Sequence, residues 1–300
     1  MSQVVYFRAS SFGNLMTNGK GVIFSEKDIE RIDELKYELK NGINKNGNKV
    51  KWTDSKAEEL KKLIEKRDKK PELSDTAKSE IEKVWLLNEK GFWDDLNNKF
   101  LTKGLMNEQD GLELVSDYLN DFILKNDERK NEIIGQLEGT DIEVGLTGES
   151  DGFCEVDGKK VVIDIKASWN PKTFLNSKMS SIYEYQLRCY MFLYDVDEAW
   201  LCYCLTDTPQ DLIDNEKKKT FYKYFSSSMS NEDVQLLEEK LIPIYEQIER
   251  NMKYSTNSAY KKEEMVKIYK ISRDKEIEQK MLEKLGPAIE YYSQITLNQK

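Results

Sequence analysis

The sequence predicts an α/β protein, a mixed central sheet flanked by helices with a helical segment inserted near the N-terminus, and three observations carry that prediction. First, residues 133–137, 141–145, 152–156, 161–167 and 198–205 are short apolar or alternating runs bounded by turn residues, as strands are. Second, residues 105–122 and 181–194 place apolar side chains at helical spacing on either side of these runs. Third, from Ser25 to about Lys90 the composition changes to charged, helix-favouring sequence.

In chain order, residues 7–16 read as a short strand passing through a serine cap, Ser10 or Ser11, into a helix, with Arg8 beside the helix start. Ser25 with Asp28 resembles a capping box ahead of Ile29, Ile32, Leu35 and Leu39. The same period recurs in Ala57, Leu60, Leu63 and Ile64, and in Ala77, Ile81, Val84 and Trp85, giving three helices joined by polar loops at 44–49 and 69–74. The helix at 105–122 carries the stripe Leu112, Val115, Leu119 and Phe122, with Glu108 one turn before it. It leads into a mostly antiparallel set of strands. The tail alternates helix, strand and helix, the strand at 265–271 and the last helix at 275–292. One domain over 1–300, with a helical insertion at about 25–95, accounts for the whole.

Residues 148–166 hold the chemistry. Asp157-Gly158 favours a two-residue hairpin turn, so Val156 faces Lys159 and Asp151 comes opposite Asp164. Alternation then sends Asp164 and Lys166 to one face of the strand and Val161, Ile163 and Ile165 to the other, which is apolar enough for a core. Two carboxylates directly opposite repel. A divalent cation offsets them, and Mg²⁺ prefers carboxylate and water oxygens. The competing reading is an exposed charged hairpin face with a salt bridge.

Composition narrows the alternatives. With 39% hydrophobic and 34% charged residues over 300, the chain is long enough to bury a core. No apolar run approaches the roughly 18 residues of a membrane span, and the N-terminus lacks a signal-peptide pattern, so a cytoplasmic location without membrane contact is expected. Cys154, Cys189, Cys202 and Cys204 fall in core-like runs and are expected as reduced thiols. Histidine is absent, which excludes histidine-based triads and histidine-ligated zinc. A net charge of −9 argues against a polyanionic partner only weakly, because a local groove of lysines can bind DNA on an acidic protein.

Glu108 on a helix, Asp151 in Gly-Glu-Ser-Asp-Gly, Asp164-Ile165-Lys166, and Gln186 with Tyr190 together resemble the PD-(D/E)XK nuclease superfamily. Within it the chain is most similar to the phage and prophage recombination exonucleases, the lambda-exonuclease, RecE and YqaJ-type group. Arg8 with Ser10 and Ser11, Lys103-Gly104 before Glu108, the carboxylate hairpin and Gln186-x-x-x-Tyr190 follow that group's order over residues 1–20 and 100–205, and more loosely 265–292. The resemblance implies a restriction-endonuclease-like fold and a Mg²⁺-dependent deoxyribonuclease, with Mn²⁺ able to substitute. It implies Glu108, Asp151, Asp164 and the Ile165 carbonyl as metal ligands, and Lys166 as the residue holding the attacking water. Gln186 and Tyr190, four apart on one helix face, reach toward the site. Serine at 150 stands where a proline often precedes the first aspartate, which leaves Glu149 as the alternative ligand to Asp151.

Arg8, Ser10, Lys172 and Lys178 are the candidate DNA contacts, each weighed against an ordinary solvated side chain. Members of the group form rings that thread DNA and work beside a single-strand annealing protein, so linear duplex DNA, an annealing protein and further copies of the chain are the implied partners. An endonuclease or repair nuclease on the same scaffold, and a catalytically silent DNA-binding module, are the alternatives.

Overall fold

The computed structural model describes residues 3–17, 26–68, 73–92, 99–138 and 141–299. Strand β1 (Gln3–Arg8) passes through a single 3-10 turn, Ala9–Ser11, into the short helix α1 (Phe12–Leu15). Ser11 makes no side-chain cap there; its hydroxyl turns back to the Arg8 carbonyl. Helices α2 (Glu26–Asn41), α3 (Asp54–Asp68) and α4 (Asp75–Lys90) follow where the periodicity places them. The Ser25 cap lies outside the described residues.

The chain divides into two compact units, 17–79 and 1–16 with 80–300. In the smaller unit Ile32, Leu35 and Leu60 form a core flanked by Trp52, Leu63 and Ile64. Three ion pairs, Arg31–Glu59, Lys56–Glu38 and Lys66–Asp28, join α2 to α3.

In the larger unit the helix expected over 105–122 is two helices, α5 (Lys99–Met106) and α6 (Glu108–Leu119). The break is Asn107, whose side-chain amide donates to the Asp207 carbonyl. Asn120, left-handed at φ 50°, ends α6 early and leaves Phe122 exposed rather than in the core. Strands β2 (Leu124–Lys125), β3 (Lys130–Gln136), β4 (Ile142–Gly148), β5 (Gly152–Val156) and β6 (Lys159–Ala167) follow, then α7 (Pro171–Leu175), α8 (Ser181–Tyr194) and β7 (Glu198–Cys204). Two helices precede the last strand, α9 (Gln210–Tyr224) and α10 (Asn231–Arg250), because a Ser230–Asp233 capping box starts a new helix. Strand β8 (Val266–Ser272) and α11 (Lys275–Asn298) complete the chain. Helix α11 runs six residues past Tyr292, where Thr296 accepts the Trp85 indole N–H at 2.9 Å.

The strands hydrogen-bond in two groups, β1-β4-β3 and β2-β5-β6-β7-β8. Parallel pairs β1–β4 and β6–β7 sit among antiparallel ones, so the sheet is mixed. The groups part at residues 149–151, between the end of β4 and the start of β5. One face of β6, Val161, Ile163 and Ile165, is buried against Leu112 and Val115 of α6. Its other face carries Val162, Asp164 and Lys166 toward α8. All four cysteines are free and buried. No helix among the described residues is long and apolar enough to cross a membrane.

Candidate active site

The hairpin makes the site. Asp157 and Gly158 have φ of 51° and 73°, the two left-handed positions of a type I′ turn, and the register runs Val156↔Lys159 to Gly152↔Ile163. One step further, Asp151 donates its N–H to the Ile163 carbonyl, and its carboxylate accepts the Ile165 N–H. Residues two apart on a strand point their backbone groups to the same edge, so the Ile165 carbonyl lies on the edge of β6 that Asp151 occupies.

Asp164 is 1% exposed. Its Oδ1 accepts the Gln186 amide at 2.9 Å, and its Oδ2 lies 2.5 Å from the Lys166 ammonium. Gln186 also donates to the Tyr190 hydroxyl at 2.9 Å, so these two residues, one turn apart on α8, hold Asp164 from the side opposite the lysine. Helix α8 is set by Ser180, whose hydroxyl caps Tyr183 N–H, and is closed by Asp195 at φ 50°.

Burial, and then the neighbouring Asp164, push the Asp151 carboxyl up to about 7; Lys166 and the Ile165 N–H oppose this only in part. Burial alone would lower the Lys166 ammonium, but Asp164 and Asp151 outweigh it and hold the group above the ordinary lysine value. Lys166 is therefore a cation at neutral pH. It can orient a water or an anionic oxygen as a donor, and it lies 5.2 Å from the Tyr183 ring.

Glu108 begins α6 and lines the same cleft, but its carboxylate pairs with Lys125 of β2 at 3.5 Å. Among the described residues no three acidic groups are drawn together as a ready cation cage. Helix α6 reaches this place because Gly111 lets it lie against β6: a Cβ there would collide with Ile165 Cγ2 and stand 3.8 Å from Cys204 Sγ. Glu149 pairs instead with Arg129 at 3.0 Å and is not part of the cleft lining.

The cleft has a volume of about 760 Å³, with Asp151, Asp164, Ile165 and Lys166 along one side. Ser10 and Lys178 are in its lining; Arg8 and Lys172 are not. Arg8 is half-buried at the end of β1, within electrostatic reach of Arg129, Glu80 and Tyr190. Lys172 is exposed on α7. Sequence reasoning missed an apolar part of the lining: Phe100, Leu101 and Leu105 of α5, with Trp169 packed edge-on against Phe100 at 5.2 Å. An exposed apolar run just before Glu108 was the available signal, and it reads equally as core.

The donor set fits a hard divalent cation. Two adjacent carboxylates face one lysine, Asp164 Oδ2 is sealed from solvent with no hydrogen bond beyond that ion pair, and no cysteine is among the described residues that line the cleft. Asp151, Asp164 and the Ile165 carbonyl would hold the ion, and Glu108 would join them on leaving Lys125.

No family model matches the sequence, and no curated protein does. Solved structures do. The fold is that of an exonuclease of the phage-related type. The phage related exonuclease from Haemophilus somnus 129PT superposes with a TM-score of 0.56 at 21% identity, over 98% of this chain and 96% of that one. Two structures of LHK-Exo were also found. One, in complex with dAMP, matches at TM-score 0.47 and 9% identity, covering 97% of this chain and 90% of its own. The other, the alkaline exonuclease from Laribacter hongkongensis, matches at 0.44 and 10%, covering 75% and 84%.

Proposed function

We propose that the chain is a metal-dependent DNA exonuclease that hydrolyses phosphodiester bonds from duplex ends, with Mg²⁺ as its cofactor and Mn²⁺ able to substitute. The observation that carries the reading is Asp164, a buried carboxylate shared between Lys166 and Gln186 beside a second buried carboxyl, Asp151, in a fold shared with a phage-related exonuclease. Bound divalent cations would neutralise charge growing on the phosphoryl oxygens and on the leaving oxygen. The protein's own groups do the rest. Lys166 orients the attacking water as a donor, Gln186 fixes the Asp164 carboxylate, and Tyr190 fixes Gln186. Ser10 and Lys178 in the cleft lining supply contacts to the strand. A role in phage or prophage recombination, a cytoplasmic location, assembly of copies into a ring and work beside a single-strand annealing protein belong to the same reading.

The test is incubation of the purified protein with linear and covalently closed circular duplex, in Mg²⁺ or EDTA. The expected result is progressive loss of the linear form from its ends in Mg²⁺ only, with circles intact. Nicking of circles would replace the exonuclease reading with an endonuclease; no cutting of either would leave a silent DNA-binding module.

A further inference from the structure

Helix α5 is built inside out. Phe100, Leu101, Leu105 and Met106 are 46 to 68% exposed, and its one buried side chain is a lysine, Lys103, at 0%. The Lys103 ammonium donates to the Thr206 carbonyl at 2.9 Å and to the Trp169 carbonyl at 3.3 Å. It also stands 5.5 Å from the Tyr254 ring and 5.9 Å from that of Trp169. Trp169 lies three residues beyond Lys166, and Thr206 lies two beyond the end of β7, so one cation joins α5 to the loops after both parallel strands.

An amphipathic helix normally holds its place by burying its apolar stripe. Here Phe100, Leu101 and Leu105 of that stripe line the cleft, and the buried contact of the helix is directional and polar, added to the Lys99–Glu216 ion pair at its start. Burying a cation with only carbonyls and ring faces around it costs stability. Burial lowers the Lys103 ammonium to about 8, and the nearest carboxylate, Asp207, offsets this only in part. A methionine of similar length would fill the space without that cost.

We propose that Lys103 is a positioning residue of the cleft: it fastens the apolar wall Phe100-Leu101-Leu105, and Trp169 beside it, at a fixed distance from the strand that bears Lys166. The kinetic part of this inference rests on the nuclease reading above. The structural part does not.

The test compares Lys103→Met and Lys103→Gln with the parent, each with and without Trp169→Phe, which isolates the Trp169 emission by difference. For Lys103→Met we expect an unchanged or raised Tm at pH 7, Trp169 quenched by acrylamide at least 2-fold more strongly, and KM for linear duplex raised about 10-fold with kcat within 3-fold of the parent. Lys103→Gln, which can still donate to one carbonyl, should fall between the two. Unchanged Trp169 quenching, or a KM equal to the parent's, would overturn the proposal. So would a lowered Tm with kcat falling in step, or failure of both variants to fold, since Lys103 would then be an ordinary structural residue. If the parent cuts no DNA the nuclease reading fails, and the quenching and Tm measurements still decide whether Lys103 positions the wall.

Discussion

The β5–β6 hairpin and helix α5 both border the cleft, and they treat a lysine in opposite ways. Lys166 enters a site that already holds two carboxylates, which keep it charged. Lys103 is buried against carbonyls and aromatic rings, and the loss of water on burial makes its charge costly in spite of them. The hairpin brings Asp151, Asp164 and Lys166 together within a span of 16 residues, whereas Lys103 of α5 donates to carbonyls 66 and 103 positions away. The proposed chemistry falls on the hairpin, whose register is set locally, and the proposed positioning role falls on the helix whose partners are distant.

The largest effect should come from the hairpin. Lys166→Ala is expected to lower the rate of DNA hydrolysis by roughly 10³-fold, the range for loss of a group that handles a proton or water in the transition state. Near-parental digestion of linear duplex by the variant would remove the hairpin from the chemistry and leave both walls structural.

The two aspartates should separate next. Asp151→Asn relieves repulsion and can still accept the Ile165 N–H, so the metal-free Tm should rise while the further rise on adding Mn²⁺ disappears. Asp164→Asn strands the Lys166 cation, so its metal-free Tm should fall by an amount equivalent to about 3 kcal/mol. Thermal melts with and without Mn²⁺ check both. Equal shifts for the two variants would mean that the ion pair does not distinguish them.

A smaller effect tests how α6 is seated. Gly111→Ala must push α6 off Ile165, at a cost of about 1–3 kcal/mol measured by denaturant unfolding. Glu108 would move with it, so Mn²⁺ affinity should drop in the same variant. A drop in stability with unaltered affinity would place Glu108 outside the ligand set.

The smallest effect is a pH signature of α5. The folded value of Lys103, about 8, lies below that of a free lysine, so between about pH 8 and 10.5 the unfolded chain holds more protons than the folded one. The parent's stability from this group therefore rises with pH through that window. The Tm of Lys103→Met relative to the parent should therefore fall from pH 7 toward pH 10; a difference independent of pH would assign it to packing alone.

Much of the hairpin was legible because its signals are local. Asp157-Gly158 sets the turn, the turn sets the register, and the register brings Asp151 to Asp164. The limits of β5 and α8 follow from the same kind of signal, the turn and the Ser180 cap. The rest depended on distant partners. Asn107 breaks the helix because of a carbonyl 100 residues on, the pairing of Glu108 with Lys125 needs β2 laid beside β5, and nothing near Lys103 announces its burial. The parting of the strands into two groups was likewise hidden, since residues 149–151 carry the carboxylate motif and no local signal that the hydrogen-bonding partners change there.

That segment has one further consequence. Asp151 is gripped at its N–H by Ile163, at its carbonyl by the Asn126 N–H and at its carboxylate by Ile165, while the Asn126 side chain is itself tied to Ser150 and to the Tyr194 hydroxyl. A ligand restrained at so many points has little room to retreat. Mg²⁺ asks for oxygens at about 2.0–2.1 Å in a strict octahedron, whereas Ca²⁺ asks for 2.3–2.6 Å and up to eight donors. With a cation bound there, stiffness at Asp151 would act as a ruler for ionic radius, favouring the smaller cation through the geometry of these anchors rather than through its charge.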